Sequence, residues 1–379
     1  MNKSIENQPV FLLSMPRSGS TLLSLMLGNH SDVCCPPEPW IVLVLAEYLN
    51  LEGVRSVPYG RKWAEMAAIE FLLNPERKQR GALTSAFGKI EETFALSPTE
   101  AARKLLKMVY KMHLDVTGKS IFIDKTPRYY AVIGLINELF PAAKKIVLLR
   151  NPLEIYASYK STWNNIEGIF TPEGVTVDTR DYCEGLFRLA ELAATTNDNI
   201  FALRYEELVN EPEKILSKIC DFLDIDFSYS MLTYHENKSL AVEHIKSPVG
   251  DKVSLSQSSI NKHSGNTWET RLDISEIQSL VDVLGAEIFE RLGYESAIPR
   301  LRDMSVIIPT EKQARERREL LMQTLVAGVQ DQPFSIWETF VSRLRESQSE
   351  LVKIRTISGF LRYRFGMLKR MIYKNLNKK

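Results

Sequence analysis

The chain has 379 residues, of which 44% are hydrophobic and 25% are charged, and its formal net charge at pH 7 is +1. This composition is ordinary for a globular protein, and the length suits one large domain with an appendage or two modest domains. Charge is unevenly spread, because residues 351–379 carry nine Lys or Arg and no Asp or Glu, leaving 39 basic and 47 acidic residues elsewhere. The mildly acidic body argues against nucleic acid as its partner.

The four cysteines are spaced neither as metal ligands nor as a disulfide framework, which favours a reducing compartment. No early apolar segment with a basic flank resembles a secretory signal, and no apolar run is long enough to span a membrane. From these features we expect a cytoplasmic enzyme.

Four short apolar runs predict strands that are buried on both faces of a sheet. They are PVFLLSM (9–15), SIFID (120–124), KIVLLR (145–150) and IFALRY (200–205). None alternates strictly between apolar and polar residues, which is typical of central strands in a parallel sheet. Helical spacing follows each run, so the sequence predicts an α/β fold, a P-loop-like parallel sheet with helices on both faces.

The remaining segments predict how the chain is divided. Residues 1–298 form the expected α/β domain, which ends with one helix over 273–294. Within it, residues 47–114 have mostly helical spacing and predict a helical insertion, and residues 247–267 predict a long loop, a feature that is often functional. Residues 299–379 predict a helical C-terminal extension.

A small-residue loop, PRSGST (16–21), follows the first predicted strand and precedes a helix. It fits the register of the phosphate-binding pattern G-x-x-x-x-G-K-[ST], but Ser14 replaces the first glycine and Ser20 replaces the lysine. The positive charge has moved to Arg17, whose guanidinium can fork onto two oxygens of a tetrahedral anion. Four consecutive residues would offer backbone N–H groups to that anion at the helix start: Ser18, Gly19, Ser20 and Thr21.

The string SMPRSGSTLLSLMLGNHSDVCCPPEPW (14–40) resembles the 5′-phosphosulfate loop of sulfotransferases that use 3′-phosphoadenylyl sulfate. The similarity is closest to the branch that contains tyrosylprotein sulfotransferases and many bacterial and glycan sulfotransferases. The resemblance implies transfer of a sulfuryl group to an acceptor hydroxyl, with adenosine 3′,5′-bisphosphate as the other product and no metal. It favours a carbohydrate or a small metabolite as the acceptor over a protein tyrosine.

A second string, KKIVLLRNPLEIYASY (144–159), is similar to the family's 3′-phosphate motif, in which an arginine ends a strand and a serine follows eight residues later. Arg150 and Ser158 hold those places, although Asn151 replaces the usual aspartate. The resemblance therefore implies that Arg150 and Ser158 bind the 3′-phosphate.

Two further segments extend the resemblance to residues 8–295. ALRYEELVNEPEKILSKICDFLDIDF (202–227) resembles the family's Tyr-Glu-x-Leu segment, which implies that Tyr205 lies near the adenosine. The loop beginning SLSQSSINKHSGN (254–266) resembles the late segment that closes over the nucleotide, although the common Gly-Arg-Trp-Arg form is absent. Ser259 and Lys262 are its candidate phosphate contacts.

The resemblance also implies which residues carry out the reaction. Glu38, in PPEPW, follows Arg17 by twenty-one positions, the spacing at which the tyrosylprotein branch has a glutamate base. We predict that Glu38 is the general base, and that Lys125, at a strand end in IDKTP, supports the leaving group together with Arg17. His235 and His263 are second candidates for the base, because the cytosolic branch uses a histidine.

Two other functions remain open at the level of sequence. A P-loop kinase for a small metabolite would bind ATP with magnesium and needs a lysine at position 20, where the chain has serine. A non-catalytic nucleotide-binding scaffold, anchored by the C-terminal tail, would be favoured if Glu38 and Lys125 pointed away from the loop.

The tail, residues 351–379, repeats apolar residues at helical spacing between basic flanks, which is the profile of an interfacial helix. The same apolar stripe also suits packing on residues 335–351 or on a second subunit. We favour packing or self-association over peripheral attachment to a membrane.

Overall fold

The computed structural model of the chain describes residues 8–43, 98–162, 168–237 and 267–327. At its centre is a parallel five-stranded sheet with the order β2-β3-β1-β4-β5. The predicted parallel α/β fold is confirmed, and sequence analysis missed only the two-residue β2, which is too short to form an apolar run. The strands are β1 (Val10–Ser14), β2 (Val33–Cys34), β3 (Ile121–Lys125), β4 (Lys145–Leu149) and β5 (Ile200–Arg204).

Helices occupy the connections between the strands and continue after β5. Two 3₁₀ segments (Tyr129–Val132 and Tyr229–Glu236) and one π-helical turn (Asp181–Gly185) interrupt them. The α-helices of the described ranges are Ser20–Gly28, Pro98–Thr117, Ile133–Leu139, Pro152–Thr162, Val177–Arg180, Leu186–Ala194, Tyr205–Asn210, Pro212–Leu223, Trp268–Arg271, Ile274–Leu284, Glu287–Arg291, Ala297–Asp303 and Glu311–Ala327.

Alternate residues of β1 belong to two separate hydrophobic cores. Phe11 and Leu13 pack in one core, and Val10 and Leu12 pack in the other, so the strand is buried along its whole length. Because both faces are covered, the apolar run has no polar alternation. Each core draws on helices from its own side of the sheet: Pro98–Thr117 and Ile274–Leu284 on the first, Ser20–Gly28 and Pro212–Leu223 on the second.

The parallel pairing brings the carboxyl ends of the strands to one edge of the sheet. Leu12 of β1 is in register with Lys125 of β3, and Ser14 is in register with Leu148 of β4. Arg204, the last residue of β5, pairs with Leu149. The segments that follow these strand ends therefore emerge side by side, where ligands bind in open α/β sheets.

The single helix predicted over 273–294 is instead two helices that are separated at Gly285. Gly285 has φ of +69° and ψ of −171°, a conformation open essentially only to glycine, and the helix ends there. A Cβ atom at Gly285 would also lie 3.2 Å from the Cβ of Ala314. Gly285 therefore ends the helix Ile274–Leu284 and leaves room for the helix Glu311–Ala327 to pack closely against it.

The described part of the C-terminal extension packs against the α/β domain. Arg318 is buried, donates to the carbonyl of Val283 at 2.8 Å, and lies 4.1 Å from the ring centroid of Phe187. Its guanidinium thus satisfies a carbonyl at the end of the helix Ile274–Leu284. The domain boundary at residue 298 stays a prediction.

Several predicted segments fall partly or wholly outside the described residues. Of the predicted insertion only the helix Pro98–Thr117 is described, and residues 44–97 are not. The greater part of the predicted loop and the whole basic tail, residues 351–379, are also outside. No helix in the four described ranges is long and apolar enough to cross a membrane.

Candidate functional site

The loop between β1 and the first helix turns the chain through two residues with positive φ. Arg17 has φ of +64° and Gly19 has φ of +90°. The N–H of Ser18 donates to the carbonyl of Met15 at 3.3 Å, and the N–H of Leu23 donates to the carbonyl of Gly19 at 3.1 Å. N–H groups of the first helical turn have no partner within the helix, so they are available to an anion at the positive end of its dipole.

Tyr205, the first residue after β5, packs its ring on this loop. A Cβ atom added to Gly19 would lie 2.3 Å from Cδ2 of Tyr205, so only glycine leaves room for the ring. On Tyr205 lies the guanidinium of Arg150, 4.4 Å from the ring centroid, which is a cation–π contact. The ring thus joins the loop after β1 to the arginine after β4.

Two arginines and a serine meet beside the loop. Nε of Arg17 donates to Oγ of Ser158 at 3.2 Å. Nη1 of Arg150 donates to the backbone carbonyl of Arg17 at 2.8 Å. Residues 133 and 141 positions apart in the chain are therefore in contact, and they bring two guanidinium groups to one place.

Several donors at the loop are buried without a partner among the described residues. They are the hydroxyls of Ser14 and Ser18 and the Nε of Arg150. Ser14 and Ser18 have no exposed surface. Buried polar groups are almost always hydrogen-bonded, so unpartnered donors at a loop suit an anionic ligand.

On the other side of the loop, Glu38 and Lys125 form a buried ion pair. Nζ of Lys125 donates to Oε1 of Glu38 at 2.9 Å, and the two side chains are 1% and 7% exposed, respectively. The indole Nε1 of Trp40 donates to Oε2 of Glu38 at 3.0 Å. Each oxygen of the carboxylate therefore has one donor and keeps a second lone pair.

Behind this pair, Asp124 is fully buried among hydroxyl groups. The hydroxyls of Tyr110 and Tyr129 donate to its Oδ2 at 2.6 and 3.1 Å, respectively. Burial raises the pKa of Asp124 to about 7, and these hydrogen bonds limit the rise. Burial likewise raises the pKa of both tyrosines, so both stay donors. A carboxyl group that titrates near neutrality thus directly precedes Lys125.

A second buried network, centred on Asp181, supports the end of β1. Its carboxylate accepts from the guanidinium of Arg128, from the hydroxyl of Tyr130 at 2.5 Å and from that of Tyr159 at 2.8 Å. Met15 lies against the same π-helical turn, where a Cβ at Gly185 would be 2.9 Å from its sulfur. The partners are 22 to 53 positions from Asp181, so no local sequence signal identifies the network.

The predicted site residues fall into two neighbouring groups. Because β1 lies between β3 and β4, the loop 16–21 has Lys125 on one side and Arg150 on the other. Ser259, Lys262 and His263 lie outside the described residues. His235 is exposed on the 3₁₀ segment Tyr229–Glu236.

Sequence analysis missed Trp40 and Asp124, although both lie in motifs that it examined. The available signals were an indole two residues after a candidate base, and an acid directly before a candidate lysine. Within the described ranges, no group of three or more His, Cys, Asp or Glu residues is placed to hold a metal ion.

Comparisons with known proteins match this chain to one family. A family model described as "Sulfotransferase family" matches residues 9–229, more than half of the chain. The nodulation protein NoeE of Sinorhizobium fredii is 30% identical over 345 residues, covering 86% of this chain and 75% of the relative. A putative protein-tyrosine sulfotransferase of Caenorhabditis briggsae is 21% identical over 293 residues, covering 76% and 90%, respectively. The solved sulfotransferase domain of the Synechococcus PCC 7002 olefin synthase aligns over 88% of this chain and 99% of that one, with 22% identity and a TM-score of 0.45.

The contact between Gly19 and Tyr205 predicts that a methyl group added at Gly19 lowers the free energy of unfolding. Gly118 is the matched control, since it has a similar φ of +68° but nothing within 4 Å of an added Cβ. Gly118→Ala should lower the free energy of unfolding by about 1–2 kcal/mol, the cost of the left-handed conformation. Gly19→Ala should lose about 1–3 kcal/mol more, because the methyl group overlaps the ring. Urea unfolding measures both, and equal losses would contradict the contact.

The buried Asp124 predicts a pH dependence of stability. Its folded pKa of about 7 lies above the ordinary 3.8, so between these values the folded state holds a proton that the unfolded state releases. Unfolding free energy attributable to this group should therefore fall by about 4 kcal/mol as pH rises from 4 to 8. Urea unfolding of Asp124→Asn should lack this fall, whereas the exposed control Asp115→Asn should retain it. Parallel curves for wild type and Asp124→Asn would contradict the assignment.

Proposed function

The chain belongs to the sulfotransferase family, and on that basis we propose that it transfers a sulfuryl group from 3′-phosphoadenylyl sulfate to an acceptor hydroxyl. The observation that carries this proposal is that two chemically different groups of residues lie next to each other at the end of β1. One is a loop with unpartnered buried donors, and the other is the buried pair of Glu38 and Lys125. Calorimetry tests the donor: tight binding of Mg·ATP and none of adenosine 3′,5′-bisphosphate would support the kinase alternative.

The residues at the loop fit the two anionic ends of that nucleotide. Gly19, Ser20 and Thr21 would supply N–H groups for the 5′-phosphosulfate, as at other helix N-termini that bind phosphate. Ser18 would supply its buried hydroxyl, since its N–H donates to the carbonyl of Met15. Arg150 and Ser158 would hold the 3′-phosphate, since a guanidinium binds two oxygens at once. Tyr205, packed between Gly19 and Arg150, would border the adenosine.

When bound, the donor supplies a sulfuryl group on a phosphate leaving group, so the chain itself must handle a proton and negative charge. Glu38 would take the proton of the acceptor hydroxyl on a free lone pair while the oxygen bonds to sulfur. Lys125 and Arg17 would neutralise the charge on the phosphate oxygen as its bond to sulfur breaks. Nothing in this scheme uses a metal ion.

For the acceptor we propose a hydroxyl of a carbohydrate or a small metabolite. This proposal follows from the resemblance of the loops to the branch that contains glycan sulfotransferases. Relatives named as protein-tyrosine sulfotransferases are only 21%, 23% and 22% identical to this chain, so their acceptor is not carried over to it. Incubating the enzyme with labelled donor and an extract of the source organism would identify the acceptor from the labelled product.

We further propose that the enzyme works in the cytoplasm and that its basic tail serves self-association. All four cysteines are buried and free, which suits a reducing compartment. The tail carries only positive charge and the rest of the chain is acidic, so a tail of one copy complements the body of another. Sedimentation with and without residues 352–379, in solution and with liposomes, would distinguish self-association from membrane attachment.

Replacing Glu38 tests its role as the base. Glu38→Gln should lower kcat by about 10²–10⁴, because the carboxamide keeps the shape but cannot accept the proton. Binding of adenosine 3′,5′-bisphosphate, measured by calorimetry, should be unchanged. The matched control is Glu138→Gln, an exposed residue on the helix Ile133–Leu139, which should keep wild-type kcat. Wild-type turnover in Glu38→Gln would remove Glu38 from the mechanism.

Replacing Arg150 tests how the 3′-phosphate is held. Arg150→Ala should raise the Kd of adenosine 3′,5′-bisphosphate by about 10–100-fold, the worth of a hydrogen bond between charged groups. Adenosine 5′-phosphosulfate lacks the 3′-phosphate, so its Kd should change much less. Ser158→Ala should show the same selectivity more weakly, and the exposed Ser161→Ala, on the same helix, should not. Equal losses for both ligands would show that the 3′-phosphate is bound elsewhere.

A further inference from the structure

Trp40 has an unusual backbone conformation for a large aromatic residue. Its φ is +56°, in the left-handed region, while its side chain is only 5% exposed. Bulky residues rarely adopt this conformation, and such outliers persist where surrounding contacts hold them and cluster at functional sites. Pro39 precedes Trp40 and restricts the chain leading into the turn.

Both N–H groups of Trp40 donate hydrogen bonds, one to Thr126 just after β3 and the other to Glu38, the partner of Lys125. The backbone N–H donates to Oγ1 of Thr126 at 3.1 Å, next to Lys125 in the chain. The indole N–H donates to Oε2 of Glu38 at 3.0 Å. The backbone of Trp40 is thus held by Thr126, and its indole holds the carboxylate of Glu38.

Lys125 has two proposed partners. Its ammonium lies 2.9 Å from Oε1 of Glu38, and in the proposed reaction the charge that develops on the leaving group competes with Glu38 for it. Once Lys125 turns away, a glutamate without another donor is free to rotate about its broad terminal torsion. The indole hydrogen bond to Oε2 remains, because Trp40 is a donor only and carries no charge to redirect.

We infer that Trp40 is the positioning residue for the general base, holding the carboxylate of Glu38 toward the acceptor while Lys125 moves to the leaving group. This role rests on the proposed function. It differs from that of Glu38 itself, since Trp40 neither takes the proton nor touches the reacting atoms. It also explains why the chain tolerates a left-handed tryptophan between Pro39 and Ile41.

The test removes the indole N–H and keeps an aromatic ring. Trp40→Phe should lower kcat by about 10–100-fold, the worth of one hydrogen bond to a charged group, with the KM for the donor unchanged. Trp268→Phe is the control for stability, because it also shrinks a fully buried indole and its Nε1 has no partner within the described residues. A similar loss of melting temperature in both variants, with wild-type kcat in Trp268→Phe, would show that the kcat effect of Trp40→Phe is not a folding defect.

A double-mutant cycle with Glu38→Gln separates positioning from a general structural role. If Trp40 acts through Glu38, Trp40→Phe should have little further effect on kcat in the Glu38→Gln background. An undiminished effect in that background, or wild-type kcat in Trp40→Phe, would overturn the inference. Should Trp40→Phe fold poorly, Thr126→Val removes the acceptor of the Trp40 backbone N–H and should show the same kcat pattern.

The cycle also keeps this inference distinct from the proposed function. A wild-type protein that transfers no sulfuryl group and binds no adenosine 3′,5′-bisphosphate would defeat the proposed function. An active wild type that is impaired by Glu38→Gln and indifferent to Trp40→Phe would defeat only the role of Trp40.

Discussion

The buried ion pair between Lys125 and Glu38 is the interaction on which the proposed chemistry depends. Taking charged groups out of water costs on the order of several kcal/mol per ion, and mutual attraction repays this only with good geometry. The two side chains are 1% and 7% exposed, and their charged atoms are 2.9 Å apart, so neither charge is tolerated without the other. A buried pair of this kind is weak evidence for stability. Its place at the end of β3 and in the segment after β2, beside the loop, suits a role in the proposed reaction instead.

Toward β4, on the other side of β1, buried donors are not matched by acceptors. There the loop offers donors, in the Ser18 hydroxyl and the Nε of Arg150, that have no acceptor in the described part of the chain. A region that is rich in unpartnered donors complements an anion, whereas the closed pair of Lys125 and Glu38 complements a proton transfer. The strand order places β1 between β3 and β4, so one parallel sheet brings the proposed anion site, at the loop and the end of β4, next to the proposed proton-transfer pair at the end of β3.

The sequence predicted the parts of this arrangement that depend on local pattern. Apolar runs located four of the five strands, and parallel pairing then implies that Arg17 and Arg150 emerge near each other, as the 2.8 Å hydrogen bond between them shows. Contacts between residues far apart in the chain could not be predicted, because nothing near Asp181 in the sequence indicates Arg128 or Tyr159 as its partners. The break at Gly285 was missed because apolar spacing continues across it, and the close approach of Ala314 to the glycine is a contact between residues far apart in the chain.

The missing lysine at position 20 now has a structural explanation. In a nucleotide-triphosphate loop the lysine extends from the helix start along the line of phosphates. Here the positive charges come from Arg17, within the loop, and from Arg150, at the end of the neighbouring strand β4. Charges on two adjacent strand ends match two separate anionic groups better than one linear triphosphate. A nucleotide that carries anionic groups at both its 5′ and 3′ positions has that distribution, as the proposed donor does.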